Sequence, residues 1–222
     1  MAKYKNIDLI FKNRAEAGEM LAEKLIEYKL KNPVVIALPR GGVPVAKPIA
    51  EKLNAKLDII VSKKVGAPDN PELAIGAVTS HGDYVISPYF DMGLGDKKWD
   101  YLQKQIVYLI NDCKEKENKY LQCRDAPLGR LYEGTNIIIV DDGTATGMTA
   151  QAAIKSIKKQ NPESITLAIP VISNEAYEEI KEAVNNIETL KIPKEFIAVG
   201  IHYKDFTAVT DDEIKAILVK AS

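Results

Sequence analysis

The chain has 222 residues, of which 46% are hydrophobic and 27% charged, and its formal net charge is -1. That balance describes one ordinary globular domain and provides no overall field for nucleic acid or an anionic membrane. No apolar run approaches the roughly 18–20 residues of a membrane span, and the amino terminus has no secretory pattern. The two cysteines, Cys113 and Cys123, form no CxxC pair, so a cytoplasmic, reducing setting is expected, with neither a nucleic-acid nor a membrane partner.

In chain order, residues 33–38 (PVVIAL) predict a short buried strand and residues 43–53 a helix after it. Residues 57–62 predict a second strand. The segment VGAPDNPELAIG, with two prolines and two glycines, reads as a mobile but punctuated cover. Residues 74–78 and 84–87 predict a hairpin about SHGD. A helical stretch follows from about residue 97 to 123, where Trp99, Leu102, Ile106, Leu109 and Cys113 recur at spacings of three and four. This stripe is expected to dock on the sheet, with a homodimer contact as the alternative.

Residues 136–140 predict a strand, 148–159 a helix and 165–171 another strand. Ser173 is expected to cap a further helix with Glu175 and Glu178 in its first turns. Strands alternating with helices give an α/β fold, a Rossmann-like, mainly parallel sheet with helices on both faces.

The stretch IIIVDDGTATGMT, residues 137–149, carries the chemistry. A strand that turns into a helix leaves backbone N–H groups convergent at the positive end of the helix dipole. Gly143, Ala145 and Gly147 keep side chains away, so a phosphate can approach, and Thr144, Thr146 and Thr149 add hydroxyls. Asp141 and Asp142 cannot favour the phosphate. They suit neutral hydroxyls or a divalent cation at the carboxyl end of the strand. A ribose 5-phosphate satisfies both halves, whereas an ordinary capped turn would not need the whole pattern. No Walker-type GxxxxGK[ST] is present.

This segment resembles the phosphoribosyl-pyrophosphate (PRPP) signature of type I phosphoribosyltransferases. Together with PRGGVPVA, KKVGAPDNPELAIGAV and PKEFIAVGIHYKDFTAVTDDE, it makes most of the chain similar to a group in that family without a settled acceptor. The resemblance implies one phosphoribosyltransferase domain over 1–222, with a small hood formed largely by about 185–222. It gives Asp141 and Asp142 to the ribose hydroxyls, and the loop of Gly143, Thr144, Ala145, Thr146, Gly147 and Thr149 to the 5-phosphate.

It also places a pyrophosphate loop after the first core strand, where Gly41 and Gly42 offer bare N–H groups and Arg40 a fork of donors. An unusual peptide is expected near Arg40–Gly41. Lys63 and Lys64, at the end of the second strand, can balance the charge of PRPP and its leaving group, with Lys64 nearer the loop.

The implied reaction displaces pyrophosphate from ribose C1 by a nitrogenous acceptor, with Mg2+ as cofactor, possible contacts to Asp141 and Asp142, and no covalent protein nucleophile. Ala145 stands where 6-oxopurine members carry an acid, which disfavours such an acceptor. Phe196, His202, Tyr203 and Phe206 are the candidates for reading the acceptor. The alternatives are a module that senses PRPP or a nucleotide, and a hydrolase using the same loops.

Overall fold

The computed structural model describes residues 9–68, 70–87, 96–122 and 132–220, so Cys123 lies outside them. Helix α1 spans Arg14–Lys24, and Asn13 caps it by accepting from the Glu16 N–H at 3.0 Å. Strand β1 (Val34–Ala37) leads into α2 (Gly42–Leu53), which ends at the left-handed Asn54. There follow β2 (Lys56–Ile59), β3 (Ser62–Ala67), β4 (Asn70–Thr79) and β5 (Tyr84–Ile86). Next are α3 (Asp96–Leu121), β6 (Asn136–Val140), α4 (Met148–Lys158) and β7 (Ser164–Val171). The order closes with α5 (Asn174–Ile180), β8 (Asn186–Lys191) and α6 (Asp211–Lys220).

Five strands form a parallel sheet in the order β2-β1-β6-β7-β8. Period-two alternation sends successive side chains to opposite faces. Ile36, Ile139 and Leu167 join one apolar cluster with Ile154, Ile157 and Ile180 of α4 and α5. Val35, Ile138 and Val140 join the other with Leu21, Val45 and Ile49 of α1 and α2. Both faces are therefore covered, as expected of a Rossmann-like sheet.

Strands β3, β4 and β5 form a separate antiparallel sheet. The strand expected over 57–62 is thus split. The chain bends at Ile60 and Val61, where Ile60 donates to the Ala37 carbonyl and Val61 to the Glu117 carboxylate at 3.0 Å. The segment expected as a mobile but punctuated cover lies largely in the pairing of β3 with β4, with Val65, Ala67 and Ile75 buried. Ser173 caps α5 as expected, accepting from Ala176 N at 2.9 Å.

Of the α3 stripe, Leu102, Ile106 and Cys113 are buried, whereas Trp99 is 41% exposed. Burial pushes the Cys113 thiol up to about 11, which leaves it a neutral core group. No helix among the described residues is long and apolar enough to cross a membrane.

The sheet order places the site. From β1 the chain moves outward to β2, and from β6 it moves the other way to β7, so the crevice beyond the carboxyl ends of β1 and β6 is the switch point of the sheet.

Candidate active site

The loops after β1 and β6 meet in that crevice. Leu38 N donates to Val140 O at 2.9 Å, extending the strand pairing to the edge of the acids. The cis peptide is Pro39–Arg40, one bond before the place expected for an unusual peptide. Gly41 has φ -62° and ψ -32°, angles open to any residue, so its need for glycine is spatial. A Cβ there would lie 2.0 Å from Asp142 Oδ2, and one on Gly42 would lie 2.5 Å from Val140 O. The PRGG loop and the acid pair thus share one packed surface.

Asp142 N donates to Asp141 Oδ1 at 2.9 Å. Burial, then the neighbouring Asp142 charge, holds Asp141 well above the ordinary carboxylate range, and Lys64 and Arg14 oppose that rise. Asp142 is also raised by burial, against the pull of Arg14. Arg14 Nε donates to Asp142 Oδ2 at 2.7 Å, with both side chains nearly buried. The Tyr203 hydroxyl donates to Asp142 O at 2.5 Å. Arg14 was missed by motif reading, because it opens a helix 128 residues before its partner.

Lys63 and Lys64 diverge, as neighbours on a strand must. Lys64 acts on Asp141, whereas Lys63 is paired with Asp112 of α3. The exposed Arg40 lies on the side of Tyr120, whose hydroxyl donates to Asp211 Oδ1 at 2.8 Å.

The loop from 143 to 149 is braced from within. Thr144 N donates to Val171 O at 3.1 Å, and the Thr144 hydroxyl accepts from Gly147 N at 2.9 Å. Ser173 Oγ donates to the Ala145 carbonyl at 2.5 Å. A Cβ on Gly143 would meet Val199 at 2.5 Å. Gly147 is left-handed at φ 69°, where other residues are strained. It caps α4 without a side-chain acceptor, so among the described residues no capping side chain takes up the first N–H groups of α4, where Thr149 sits. Thr146 Oγ1 is buried and has no hydrogen-bond partner among the described residues.

The residues expected to read the acceptor are distributed differently from one another. His202 and Tyr203 are 4% and 6% exposed, so neither presents a face to solvent. His202 packs against Phe196 at 5.6 Å between ring centroids, and burial, then Lys191, lowers its pKa. Tyr203 packs between Phe11 and Phe206. Phe206 is partly exposed and lies under the Arg14 guanidinium, 3.8 Å from ring centroid to Cζ. Ile197 and Ile201 are the more exposed large apolar residues of this segment, ahead of Phe206. Of the region expected as a hood, β8 joins the main sheet and α6 packs on α2 and α3.

A five-stranded parallel sheet with an antiparallel ribbon, bearing an acid pair and a small-residue loop at its switch point, is the type I phosphoribosyltransferase architecture. The chain belongs to the phosphoribosyl transferase domain family, whose sequence model matches residues 6–205.

Sequences from two Mycobacterium tuberculosis strains, CDC 1551 and H37Rv, each named provisionally as a phosphoribosyl transferase, are 36% identical over 217 residues. The match covers 96% of this chain and 47% of theirs, so the chain spans about half the length of these curated relatives. A crystal structure from Thermus thermophilus is 37% identical, with a TM-score of 0.79, covering 96% of this chain and 100% of that one. A Neisseria gonorrhoeae protein solved with bound ppGpp shares the fold at 15% identity, with a TM-score of 0.52 and 98% of each chain covered.

Proposed function

We propose that the chain is a magnesium-dependent phosphoribosyltransferase that moves the 5-phosphoribosyl group of PRPP to a nitrogenous acceptor and releases pyrophosphate. The observation that carries this reading is the contact between the two loops. A glycine-lined turn suited to pyrophosphate packs so closely that a Cβ on Gly41 would lie 2.0 Å from the acid pair, and the acid pair leads directly into a braced anion loop. A pyrophosphorylated ribose 5-phosphate spans these three features in one molecule.

In this reading the loop N–H groups other than those of Thr144 and Gly147, which are bonded within the protein, hold the 5-phosphate together with the Thr146 and Thr149 hydroxyls. Asp141 and Asp142 accept from the ribose hydroxyls. Gly41 presents its N–H to the pyrophosphate and Arg40 adds charge. The N–H expected to be bare at Gly42 instead donates to Leu38 O at 3.0 Å, so Gly42 contributes only the absence of a side chain. Lys64 lies on the acid side and balances charge on the leaving group, while Lys63, paired with Asp112, serves it only by a change of partner.

The C1–O bond to pyrophosphate breaks, a C1–N bond forms, and the acceptor nitrogen gives up its proton. Positioning and electrostatic stabilisation supply the acceleration, each on the order of several kcal/mol. The acceptor approaches from residues 196–206, where Ile197, Ile201 and the open edge of Phe206 are exposed. Ala145 carries no acid for 6-oxopurine chemistry.

The residues fit magnesium held mainly through substrate oxygens. One carboxylate oxygen of Asp142 is taken by Arg14, and no cluster of three or more metal-ligating side chains occurs among the described residues. Mg2+ commonly keeps several waters and takes one or two carboxylates together with substrate phosphates. When bound, it would neutralise charge developing on the pyrophosphate.

Incubation with PRPP, magnesium and a panel of heterocyclic bases and amines tests the reading. Pyrophosphate formed together with a new N-riboside is the expected product pair. Pyrophosphate with free ribose 5-phosphate would assign hydrolysis instead, and no pyrophosphate with any acceptor would contradict the proposal.

A further inference from the structure

We propose that Arg14 is a positioning residue for the acid pair, and that it is held in place by Phe206 and Thr207 so that both ends of the chain set the orientation of Asp142. This rests on the ribose role given to Asp142 above and extends it to Arg14, which no motif marks.

The geometry is specific. Arg14 uses Nε for Asp142 Oδ2 at 2.7 Å and Nη1 for the Thr207 carbonyl at 2.8 Å. Its Cζ lies over the Phe206 ring, 3.8 Å from the centroid, and the forked guanidinium makes this contact and both hydrogen bonds at once, which a lysine ammonium reproduces only in part. The stack is registered by backbone. Phe11 N donates to His202 O at 2.9 Å, Lys204 N to Phe11 O at 2.8 Å and Asp205 N to Lys12 O at 2.9 Å. Residues 11–12 are thereby zipped to 202–205, and Arg14 is delivered above Phe206. From the same segment, Tyr203 fixes the Asp142 backbone through its carbonyl.

With Oδ2 committed to Arg14, the second oxygen of Asp142 is left to accept a sugar hydroxyl in a fixed rotamer. Two adjacent buried carboxylates repel each other, and Arg14 supplies the counter-charge that lets this one stay in place. Phe206 and Tyr203 therefore serve the sugar side of the reaction through Asp142.

The test is a double-mutant cycle on PRPP affinity, measured by calorimetry with magnesium, using Arg14→Gln, Asp142→Asn and the pair. Arg14→Gln is expected to weaken PRPP binding about 10- to 100-fold, the scale on which an orienting partner acts. Arg14→Lys should recover part of that loss, and Phe206→Leu should lose less than Arg14→Gln. The paired variant should bind no worse than Asp142→Asn alone, a non-additivity that a general loss of packing would not give. Melting curves identify any variant that fails to fold, and the Arg14→Lys and Phe206→Leu variants then carry the comparison.

Unchanged affinity in Arg14→Gln overturns the inference while leaving the PRPP site intact. Losses that multiply in the pair overturn it too, since Arg14 would then touch the ligand itself. Absence of PRPP binding by the unaltered protein overturns the ribose reading and this inference with it.

Discussion

Replacing Gly41 by alanine tests how closely the two loops share space. The backbone angles at Gly41 suit alanine, so no dihedral strain enters. The new methyl would lie 2.0 Å from Asp142 Oδ2 and 2.4 Å from its Cγ, where ordinary contact begins at 3.4 Å. The carboxylate must therefore retreat by about 1.4 Å, more than a 2.7 Å bond to Arg14 can absorb. Loss of one hydrogen bond between charged groups costs about 1.5–3 kcal/mol. For a domain of this size that corresponds to a fall in Tm of roughly 3–12 °C.

The whole carboxylate moves, so the second oxygen, which receives the ribose hydroxyl, is carried with it, and PRPP affinity falls by a similar free energy, about 10- to 150-fold. Gly42→Ala is the control. Its Cβ would meet backbone, Val140 O at 2.5 Å and Asp141 Cα at 3.1 Å, and Val140 O already accepts from Leu38 N. A backbone clash cannot be relieved by a rotamer, so Gly42→Ala should melt lower than Gly41→Ala. Scanning calorimetry and PRPP titration read both variants. Gly41→Ala with unaltered Tm and unaltered affinity would refute the packing argument.

Other outcomes follow from the same geometry. Because the folded-state pKa of Asp141 is raised above its ordinary 3.8, the folded protein binds that proton more tightly, and stability is lost as pH climbs from near 4 toward the raised value. Asp141→Asn should accordingly raise Tm near pH 7 and change it little at pH 3.5, and a lower Tm at pH 7 would reverse that sign. Thr146→Val removes a buried hydroxyl that has no partner among the described residues. Tm should hold or rise while ribose 5-phosphate affinity falls about 5-fold, the worth of one hydrogen bond, whereas a drop in Tm with unchanged affinity would count against a phosphate role. Lys64→Met should slow pyrophosphate release. Lys63→Met should cost only about 1 kcal/mol or less, because its pair with Asp112 is about one-third exposed. The opposite ranking in a turnover assay would return Lys63 to the site.

Local pattern made part of this molecule legible and long-range geometry hid the rest. The strand over 136–140 has the bounds read from NIIIV, and α2 and α4 follow their strands as the alternation required. The small-residue loop could be read because its function needs absent side chains, and absence is visible in sequence. The split between β2 and β3 could not, since the bend is held by Glu117, 56 residues away. Strand β8 carries Asn186 and Glu188 among its six residues and shows no apolar run. The aromatic residues of 196–206 were visible, but whether a ring faces ligand, core or Arg14 is decided by the zipper between 11–12 and 202–205. Arg14 itself announces nothing, because its meaning comes from the fold.

The most direct test of the central claim is a calorimetric titration of PRPP into the unaltered protein and into the Asp141→Asn, Asp142→Asn double variant, each with and without magnesium. The account predicts magnesium-dependent saturable binding by the unaltered protein, and severely weakened binding by a variant whose circular dichroism remains native. Equal binding by the two proteins, or none by the unaltered one, would contradict it.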